Sequence, residues 1–189
     1  DMRRKYSDSR IKFYIGDVRD RSSVDDAMAG VDYVFHAAAL KQVPACEFFP
    51  MQALQTNVLG SQNVIESAIS YGVSKVVSLS TDKAVYPVNA LGITKALMEK
   101  VIQSTARKLS EGQTILTLVR YGNVLFSRGS VIPLFMKLIR EKKPLTLTEP
   151  GMTRFLLPLP IATDLVFFAL QNAQNGDILV RKAPASTIG

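Results

Sequence analysis

The chain has 189 residues, of which 47% are hydrophobic and 21% are charged, and its formal net charge is +7. This composition is typical of one globular domain with a sizeable core, and not of a disordered or fibrous chain. The positive charge favours an anionic partner, but the basic residues form only short runs without interleaved aromatic residues. Nucleic-acid binding is therefore not predicted, whereas a phosphorylated small substrate fits the same charge.

Cysteine content and hydropathy exclude two further classes of protein. The one cysteine, Cys46, rules out an internal disulfide and fits a reducing compartment, so we predict a cytoplasmic protein. No apolar run approaches the roughly 18 residues of a transmembrane helix, and no membrane partner is predicted. The first residues are polar and charged, unlike a signal peptide. We also predict no metal site.

Short apolar runs alternate with longer helical patterns along the chain, which is the signature of βαβ units and a parallel sheet. Strands are predicted at 11–15, 33–35, 75–79, 115–119, 145–148 and 177–180. Helices are predicted at 23–29, 50–70, 89–110, 133–141 and 161–173. The alternation predicts an α/β fold.

One motif of doubly wound dinucleotide-binding folds is not in the sequence. Such folds open with a strand, a glycine-rich turn and a helix whose N-terminus holds a pyrophosphate. No G-x-x-G-x-x-G pattern is present, and by position it would precede Asp1. We therefore expect the first β-α-β piece of the fold to lie outside this sequence.

The most informative motif is the run Ser-Thr-Asp-Lys at 80–83, which follows a predicted strand and precedes the helix that carries Lys95. A strand end thus presents a hydroxyl, a carboxylic acid and an amine in the crevice where open α/β sheets bind ligands. The alternative is an ordinary cap, in which short polar side chains satisfy free backbone N–H groups. The run alone favours the cap, and the surrounding blocks favour an active site.

Six sequence blocks together resemble a known superfamily. The blocks are GDVRD at 16–20, HAAALK at 36–41, TNVLG at 56–60, STDK at 80–83, RYGNV at 120–124 and MTRF at 152–155. In this order they resemble the extended short-chain dehydrogenase/reductase superfamily. Within it, their exact residues are similar to those of the inverting UDP-N-acetylglucosamine 4,6-dehydratases of polysaccharide biosynthesis. The resemblance implies a Rossmann-like doubly wound parallel sheet. It places a partial dinucleotide-binding domain at 1–125 and most of a small substrate-binding lobe at 126–189.

The resemblance also implies a reaction. The family oxidises the sugar at C4 by hydride transfer to a nicotinamide, removes the C5 proton, expels the C6 hydroxyl as water and returns the hydride to C6. By this resemblance Lys83 is the C5 base, which must be partly neutral, and Asp82 is the acid for the departing hydroxyl. Thr81 would hold the C4 or C6 hydroxyl. Lys95 would bind the nicotinamide ribose, and its cation would favour a neutral neighbouring base.

The usual Tyr-x-x-x-Lys of the superfamily is changed here, because the position four before Lys95 is Leu91, which cannot take a proton. Leu91 marks either an inactive relative, a plain core position, or the inverting dehydratases, in which an apolar residue occupies this place. The group that deprotonates the C4 hydroxyl is left open among Lys83, Asp82 and a water relay. His36 is interpreted as a packed residue at a strand end.

Cofactor and substrate contacts are also implied by the resemblance. The cofactor is expected to be NADP, with NAD left open, held by Asp17, Val18, Ala37, Ala38, Ala39, Asn57, Ser80, Lys95 and Tyr121. The substrate is expected to be UDP-N-acetylglucosamine, held by Lys41, Asn123, Arg128, Ser130 and Arg154. The two arginines suit paired hydrogen bonds to a diphosphate. The sequence leaves open whether the protein forms a homo-oligomer. The alternatives are a retaining dehydratase or 4-epimerase of the same fold, or a catalytically silent module that binds a nucleotide sugar.

Overall fold

The computed structural model describes residues 2–127, 130–146, 149 and 151–187. Its helices are α1 (Met2–Lys5), α2 (Arg21–Met28), α3 (Val43–Phe48), α4 (Pro50–Leu54), α5 (Gly60–Ser70), α6 (Ala90–Ala106), α7 (Val131–Arg140) and α8 (Leu159–Asn172). Its strands are β1 (Tyr33–His36), β2 (Lys75–Thr81), β3 (Ile115–Tyr121), β4 (Asn123–Val124), β5 (Thr153–Leu157), β6 (Ile178–Val180) and β7 (Ala185–Thr187). A π-helical turn (Gln55–Leu59) joins α4 to α5, and a 3₁₀ turn (Asp82–Ala84) follows β2.

Four parallel strands form the central sheet in the order β1-β2-β3-β6. The two longest strands lie in its middle, and their register runs from Lys75 opposite Ile115 to Thr81 opposite Tyr121. Because the strands are parallel, their carboxyl ends meet at one edge of the sheet, where ligands bind in folds of this kind. The predicted parallel α/β sheet is confirmed.

Helices cover both faces of this sheet, and the core is divided accordingly. One apolar cluster lies between the sheet and α2, α5 and α6, and it includes the fully buried Met98 and Leu116. The other lies between the sheet and α8, around Val77 and Ala169. Strands buried on both faces in this way read as continuous apolar runs, which is why β2 and β3 were predictable. The predicted doubly wound arrangement is confirmed.

A smaller sheet begins directly after β3. In it β4 pairs in parallel with β5, and β5 pairs antiparallel with β7. The chain passes from the central sheet to this one at Gly122, where a Cβ would lie 2.7 Å from the Cβ of Phe155. Only glycine permits such a close approach without displacing β5. None of these three strands was predicted, since strands of two to five residues carry little periodic signal.

Three predicted elements differ from the structure. The segment 11–15 is not a strand: Ile15 is 95% exposed, and no strand in the described part of the chain pairs with this segment or with the outer edge of β1. Of the strand predicted at 145–148, residues 145 and 146 have no strand conformation, and 147 and 148 lie outside the described residues. The long helix predicted at 50–70 is interrupted by the π-helical turn.

Two classes of feature are absent from the described residues. No helix there is long and apolar enough to span a membrane. No group of three or more histidine, cysteine, aspartate and glutamate side chains is arranged there to hold a metal ion. Cys46 is a free thiol that is fully buried, and burial raises its pKa.

Candidate active site

The Ser-Thr-Asp-Lys run lies at the carboxyl end of β2, in the middle of the central sheet. Ser80 and Thr81 complete the strand, and Asp82 and Lys83 open the 3₁₀ turn that follows. The Lys83 backbone N–H donates a hydrogen bond to Thr81 Oγ1 at 3.3 Å, so Thr81 caps the turn. The cap is therefore real, and it also leaves the acid and the amine at the ligand-binding edge of the sheet.

Asp82 and Lys83 form an ion pair, with 3.1 Å between Lys83 Nζ and Asp82 Oδ1. The Thr81 hydroxyl donates to the same carboxylate oxygen at 2.9 Å. The Lys83 and Asp82 side chains are 32% and 27% exposed, so a ligand can reach both while the surrounding protein shields most of their surface. A carboxyl group and an amine within hydrogen-bond distance can exchange a proton, as acid–base catalysis requires.

Two glycines allow the neighbouring elements to approach this pair. In the first turn of α6, a Cβ at Gly92 would overlap the Lys83 carbonyl oxygen. Between β3 and β4, a Cβ at Gly122 would lie 3.3 Å from Asp82 Oδ2. The pair is thus enclosed between the start of α6 and the start of the smaller sheet.

Lys95 lies in the second turn of α6, is 6% exposed, and donates a hydrogen bond from Nζ to the Leu79 carbonyl at 2.9 Å. Burial lowers the pKa of Lys95 to about 8, and the carboxylate of Glu99 acts in the opposite direction. By the resemblance, the Lys95 cation is expected to favour the neutral form of Lys83. The Lys95 amine bonds to the Leu79 carbonyl and the Lys83 amine bonds to the Asp82 carboxylate, so the effect of one amine on the other stays a prediction.

Leu91 is a core residue. It is 6% exposed and packs in a small apolar cluster with Cys46 and Ala53, as an apolar residue at this place does in an inactive relative and in an inverting dehydratase alike. Of the two tyrosines near the site in sequence, Tyr86 is 92% exposed, and Tyr121 packs against the cluster under α8, where burial raises its pKa.

A buried ionic network lies beneath the motif, and it was not predicted from the sequence. Glu99 is 3% exposed and accepts hydrogen bonds from the Arg120 guanidinium, at 2.8 Å from Nε, and from the Ser80 hydroxyl. Ser80 was expected to contact the cofactor, but it is 4% exposed and its hydroxyl is committed to Glu99. The available signal was a glutamate one helical turn after Lys95, on the apolar face of α6.

Asn57, another expected cofactor contact, is fully buried in the π-helical turn. Its Oδ1 accepts from the Leu40 N–H at 2.8 Å, and its Nδ2 donates to the Leu40 carbonyl at 3.0 Å and to Thr94 Oγ1 at 3.1 Å. The side chain therefore fixes the loop after β1 against α6. Its amide groups already have protein partners.

The loop that leaves β1 provides small residues at the edge of the sheet. Ala37 and Ala38 are exposed and Ala39 is half-buried. Immediately before them, His36 is 5% exposed and its Nε2 lies 2.8 Å from Ser61 Oγ. Burial, assisted by the Lys95 cation, lowers the pKa of His36 to about 4. The interpretation of His36 as a packed residue is confirmed.

Asp17 and Val18 lie before α2, beside the π-helical turn. The Asp17 carboxylate forms a paired hydrogen bond with Arg19, which lowers the pKa of Asp17 to about 2. Asp17 and Arg19, but not Val18, line a shallow depression of about 460 Å³ together with Asp20, Gln55 and Leu59. Val18 is half-buried, and a Cβ at Gly60 would lie 2.7 Å from its Cγ2.

Two of the expected substrate contacts carry buried polar atoms without a partner. Asn123 Oδ1, at the start of β4, and Ser130 Oγ, just before α7, make no hydrogen bond within the described part of the chain. An unsatisfied buried polar atom costs about 1–3 kcal/mol, so such atoms are rare away from sites that a ligand or water completes.

The remaining expected substrate contacts are cationic. Arg154 is half-buried on β5, and its Nη1 donates to the Thr153 carbonyl at 3.2 Å, while no described carboxylate pairs with it. Lys41 is exposed on the loop after β1. Arg128 lies outside the described residues. Arg154 is thus a cation of the smaller sheet with donors to spare.

Comparison with known sequences gives a match over the whole chain. The family described as polysaccharide biosynthesis protein matches residues 1–189. A protein named UDP-glucose 4-epimerase from Rickettsia prowazekii (strain Madrid E) is 62% identical over 188 residues, which cover 100% of this chain and 55% of that protein. A protein of the same name from Rickettsia akari (strain Hartford) is 61% identical with the same coverage. The chain therefore spans about half the length of the curated relatives it matches.

Comparison with solved structures agrees with this result. The X-ray structure of Pen from Bacillus thuringiensis has a TM-score of 0.95 and 41% identity, covering 98% of this chain and 60% of Pen. DesIV, a dTDP-glucose 4,6-dehydratase from Streptomyces venezuelae with NAD and TYD bound, has a TM-score of 0.87 and 24% identity, covering 96% of this chain and 61% of DesIV. The DesIV likeness shows the fold alone, and it confirms the predicted Rossmann-like type.

Proposed function

Because the chain belongs to the polysaccharide biosynthesis protein family, among the nucleotide-sugar dehydratases and epimerases of the short-chain dehydrogenase/reductase superfamily, we propose that the whole protein is a UDP-N-acetylglucosamine 4,6-dehydratase that inverts C5. The observation that carries this proposal is the ion pair of Asp82 and Lys83 at the end of β2. It supplies an acid and a base side by side, as removal of a C5 proton and a C6 hydroxyl requires.

This chemistry needs a nicotinamide cofactor, and the residues present fit one. The exposed, small Ala37 and Ala38 leave room at the end of β1, and Lys95 and Tyr121 lie at the neighbouring strand ends. The depression beside Asp17 suits the adenine end. When bound, a nicotinamide takes a hydride from C4 of the sugar and returns it to C6. We propose NADP, with NAD as the alternative because the DesIV structure holds NAD.

Lys83 and Asp82 must enter the reaction as a neutral amine and a protonated acid, and their contact supplies both forms at once. Transfer of one proton across the 3.1 Å between Lys83 Nζ and Asp82 Oδ1 converts the ion pair into this neutral pair. A sugar that covers the pair and displaces water favours the conversion, because burial penalises charges more than neutral groups.

The neutral pair can then perform the elimination with a balanced proton count. The C4 hydroxyl gives its proton to solvent through a water relay as C4 becomes a carbonyl, and this carbonyl acidifies the C5 proton. Lys83 accepts the C5 proton, and Asp82 gives its proton to the C6 hydroxyl, which leaves as water. These two transfers restore the ion pair. A solvent proton, delivered to the opposite face of C5, completes the inversion and balances the proton that the C4 hydroxyl released. The overall change is the loss of one water.

Polar groups around the smaller sheet support a nucleotide-sugar substrate. The unpartnered Asn123 Oδ1 and Ser130 Oγ are proposed to meet the sugar and its N-acetyl group. Arg154, which pairs with no described carboxylate, is proposed to bind the diphosphate, since guanidinium groups form paired hydrogen bonds to phosphate oxygens. Lys41 and Arg128 stay predicted substrate contacts. The cytoplasmic location and a homo-oligomer also stay predictions.

A second candidate function is UDP-sugar 4-epimerisation. Its support is the name UDP-glucose 4-epimerase of relatives that are 60–62% identical to this chain. A 4-epimerase exchanges hydride and proton at C4 alone, so it needs no acid for a C6 hydroxyl. The position of Leu91 in the apolar core, four residues before Lys95, argues against a mechanism that relies on a tyrosine there.

A proton NMR time course of the complete protein in deuterated water, with NADP and UDP-N-acetylglucosamine, separates the candidates. The dehydratase gives a 6-deoxy methyl signal and deuterium at C5. The epimerase gives a galacto-configured sugar that keeps its C6 oxygen and its C5 proton. A sugar that stays unchanged with either NADP or NAD, and with UDP-glucose in a parallel sample, would contradict both enzymatic proposals and leave the silent binding module.

A further inference from the structure

The buried carboxylate of Glu99 joins three elements that carry the candidate active site. Glu99 belongs to α6, its Oε1 accepts from Ser80 at the end of β2, and both of its oxygens accept from Arg120 at the end of β3. We propose that Glu99 is a positioning residue for the proposed reaction, which locks the ends of β2 and β3 against α6 and keeps the acid–amine pair aligned with Lys95.

The register of the central sheet explains how one carboxylate can serve both strands. Ser80 lies directly opposite Arg120, and Thr81 lies opposite Tyr121. Ser80 therefore lies two residues before Asp82, where the 3₁₀ turn begins, and Arg120 lies two residues before Gly122, where the chain passes to the smaller sheet. The paired contact with Arg120 is geometrically specific, since a guanidinium and a carboxylate bind in one plane.

The same carboxylate acts on Lys95, which lies one helical turn before it. The groups that face the Lys95 amine are the Leu79 carbonyl on β2, His36 at the end of β1, and Met98 Sδ and Glu99 on its own helix. Of these, only Glu99 raises the pKa of Lys95, and it opposes the effect of burial. Loss of the Glu99 charge would therefore favour the neutral form of the Lys95 amine. The neutral form has one hydrogen-bond donor fewer for the proposed contact with the ribose.

A purely structural role for Glu99 is the competing interpretation, because buried ion pairs also occur as ordinary packing. The two interpretations differ in what happens to Lys95. Replacement by the isosteric Gln keeps the volume and an acceptor for Ser80 but removes the charge. A structural role predicts a change in stability alone, whereas a positioning role also predicts a change at Lys95.

The test uses the complete protein labelled with ¹³C-lysine, with the Lys95 signal assigned by Lys95→Arg. In Glu99→Gln, the titration midpoint of Lys95 is expected to fall below its wild-type value near 8. With substrate, kcat is expected to fall at least about tenfold while KM changes little, as misalignment of reacting groups predicts. The matched control is Glu111→Gln, an exposed glutamate after α6, which should change neither quantity.

Glu99→Asp keeps the charge but shortens the reach, and it serves as the second variant if Glu99→Gln does not fold. There the Lys95 midpoint should stay near the wild-type value while kcat falls. An unchanged midpoint and kcat in a folded Glu99→Gln, or an unchanged kcat in Glu99→Asp, overturns the proposal. The Lys95 titration needs neither sugar nor cofactor, so it stays informative even if the product proves to be an epimer.

Discussion

Lys83 Nζ lies 3.1 Å from Asp82 Oδ1 at the carboxyl end of β2, and the two residues are adjacent in the sequence. Adjacent side chains of a regular strand point to opposite faces, so they cannot meet. The 3₁₀ turn that begins at Asp82 removes this restriction and brings the acid and the amine to one side. The turn therefore brings two neighbours in sequence, the proposed acid and the proposed base, into contact.

Lys83→Ala is expected to stop deuterium exchange at C5 and formation of the 6-deoxy product, because the base that accepts the C5 proton is removed. Nucleotide binding should be largely unchanged, since the expected cofactor contacts lie on other residues. The measurement is ¹H NMR of the sugar in deuterated water, with cofactor affinity by calorimetry. Lys100→Ala, an exposed lysine on α6, is the control. Exchange at the wild-type rate in Lys83→Ala would refute the base assignment.

Asp82→Asn should separate the two halves of the elimination. The amide cannot donate a proton to the leaving hydroxyl, so formation of the 6-deoxy sugar is expected to fall by about 10²–10⁴-fold. Exchange at C5 should persist at a reduced rate, because Lys83 can still accept that proton once it has lost its own to solvent instead of to Asp82. Both rates come from the same NMR time course. Loss of C5 exchange together with the product would instead assign the base function to Asp82.

Gly92→Ala tests whether α6 must lie in contact with the 3₁₀ turn that carries Asp82 and Lys83. Alanine in a helix normally gains up to about 1 kcal/mol over glycine. Here its Cβ would overlap the Lys83 carbonyl oxygen, and overpacking of this kind costs about 1–3 kcal/mol. We therefore expect a net loss of stability in urea unfolding, and a loss of kcat larger than the stability change alone explains. Gly151→Ala is the control, since a Cβ there meets only Glu149 Oε1 at 3.6 Å. A stabilised Gly92→Ala with full activity would contradict this contact.

How far the sequence predicted the molecule depends on how local each feature is. β2, β3 and α6 were predictable because long apolar runs and a 17-residue helical pattern carry strong periodic signals. The segment 11–15 also has an apolar pattern, but a strand needs a hydrogen-bonded neighbour, and none pairs with it in the described chain. Whether the segment 11–15 forms a strand therefore depends on a hydrogen-bonded neighbour and not on its own apolar pattern.

The site shows the same division. The contact of Asp82 with Lys83 is local, so the motif at the end of a predicted strand was enough to locate both groups at the edge of the sheet. The commitment of Ser80 to Glu99 was not visible, because it joins residues 19 positions apart and depends on how α6 packs on β2. Arg120 reaches the same carboxylate from a third element. Hence the proposed acid and base could be located from the sequence, whereas the buried contacts of Glu99 beneath them could not.

The single histidine of the chain offers a test of the packing at the end of β1. Burial, with the Lys95 cation, lowers the pKa of His36 to about 4 from an ordinary 6.5. Between these values the unfolded chain binds a proton that the folded protein does not, so stability rises with pH across this window and is lost as pH falls from 6.5 to 4. The His36 contribution to this loss is on the order of 2–3 kcal/mol.

Because there is one histidine, its ring signals in ¹H NMR are unambiguous, and their midpoint should lie near 4 if the fold survives to that pH. Urea unfolding from pH 4 to 7 should show a steeper loss of stability in the wild type than in His36→Gln, which has no ionisable ring. Ser61→Ala removes the hydroxyl 2.8 Å from Nε2 but leaves the burial, so its midpoint should stay well below 6.5. A wild-type midpoint near 6.5 would mean that water reaches His36, and that the end of β1 opens in solution.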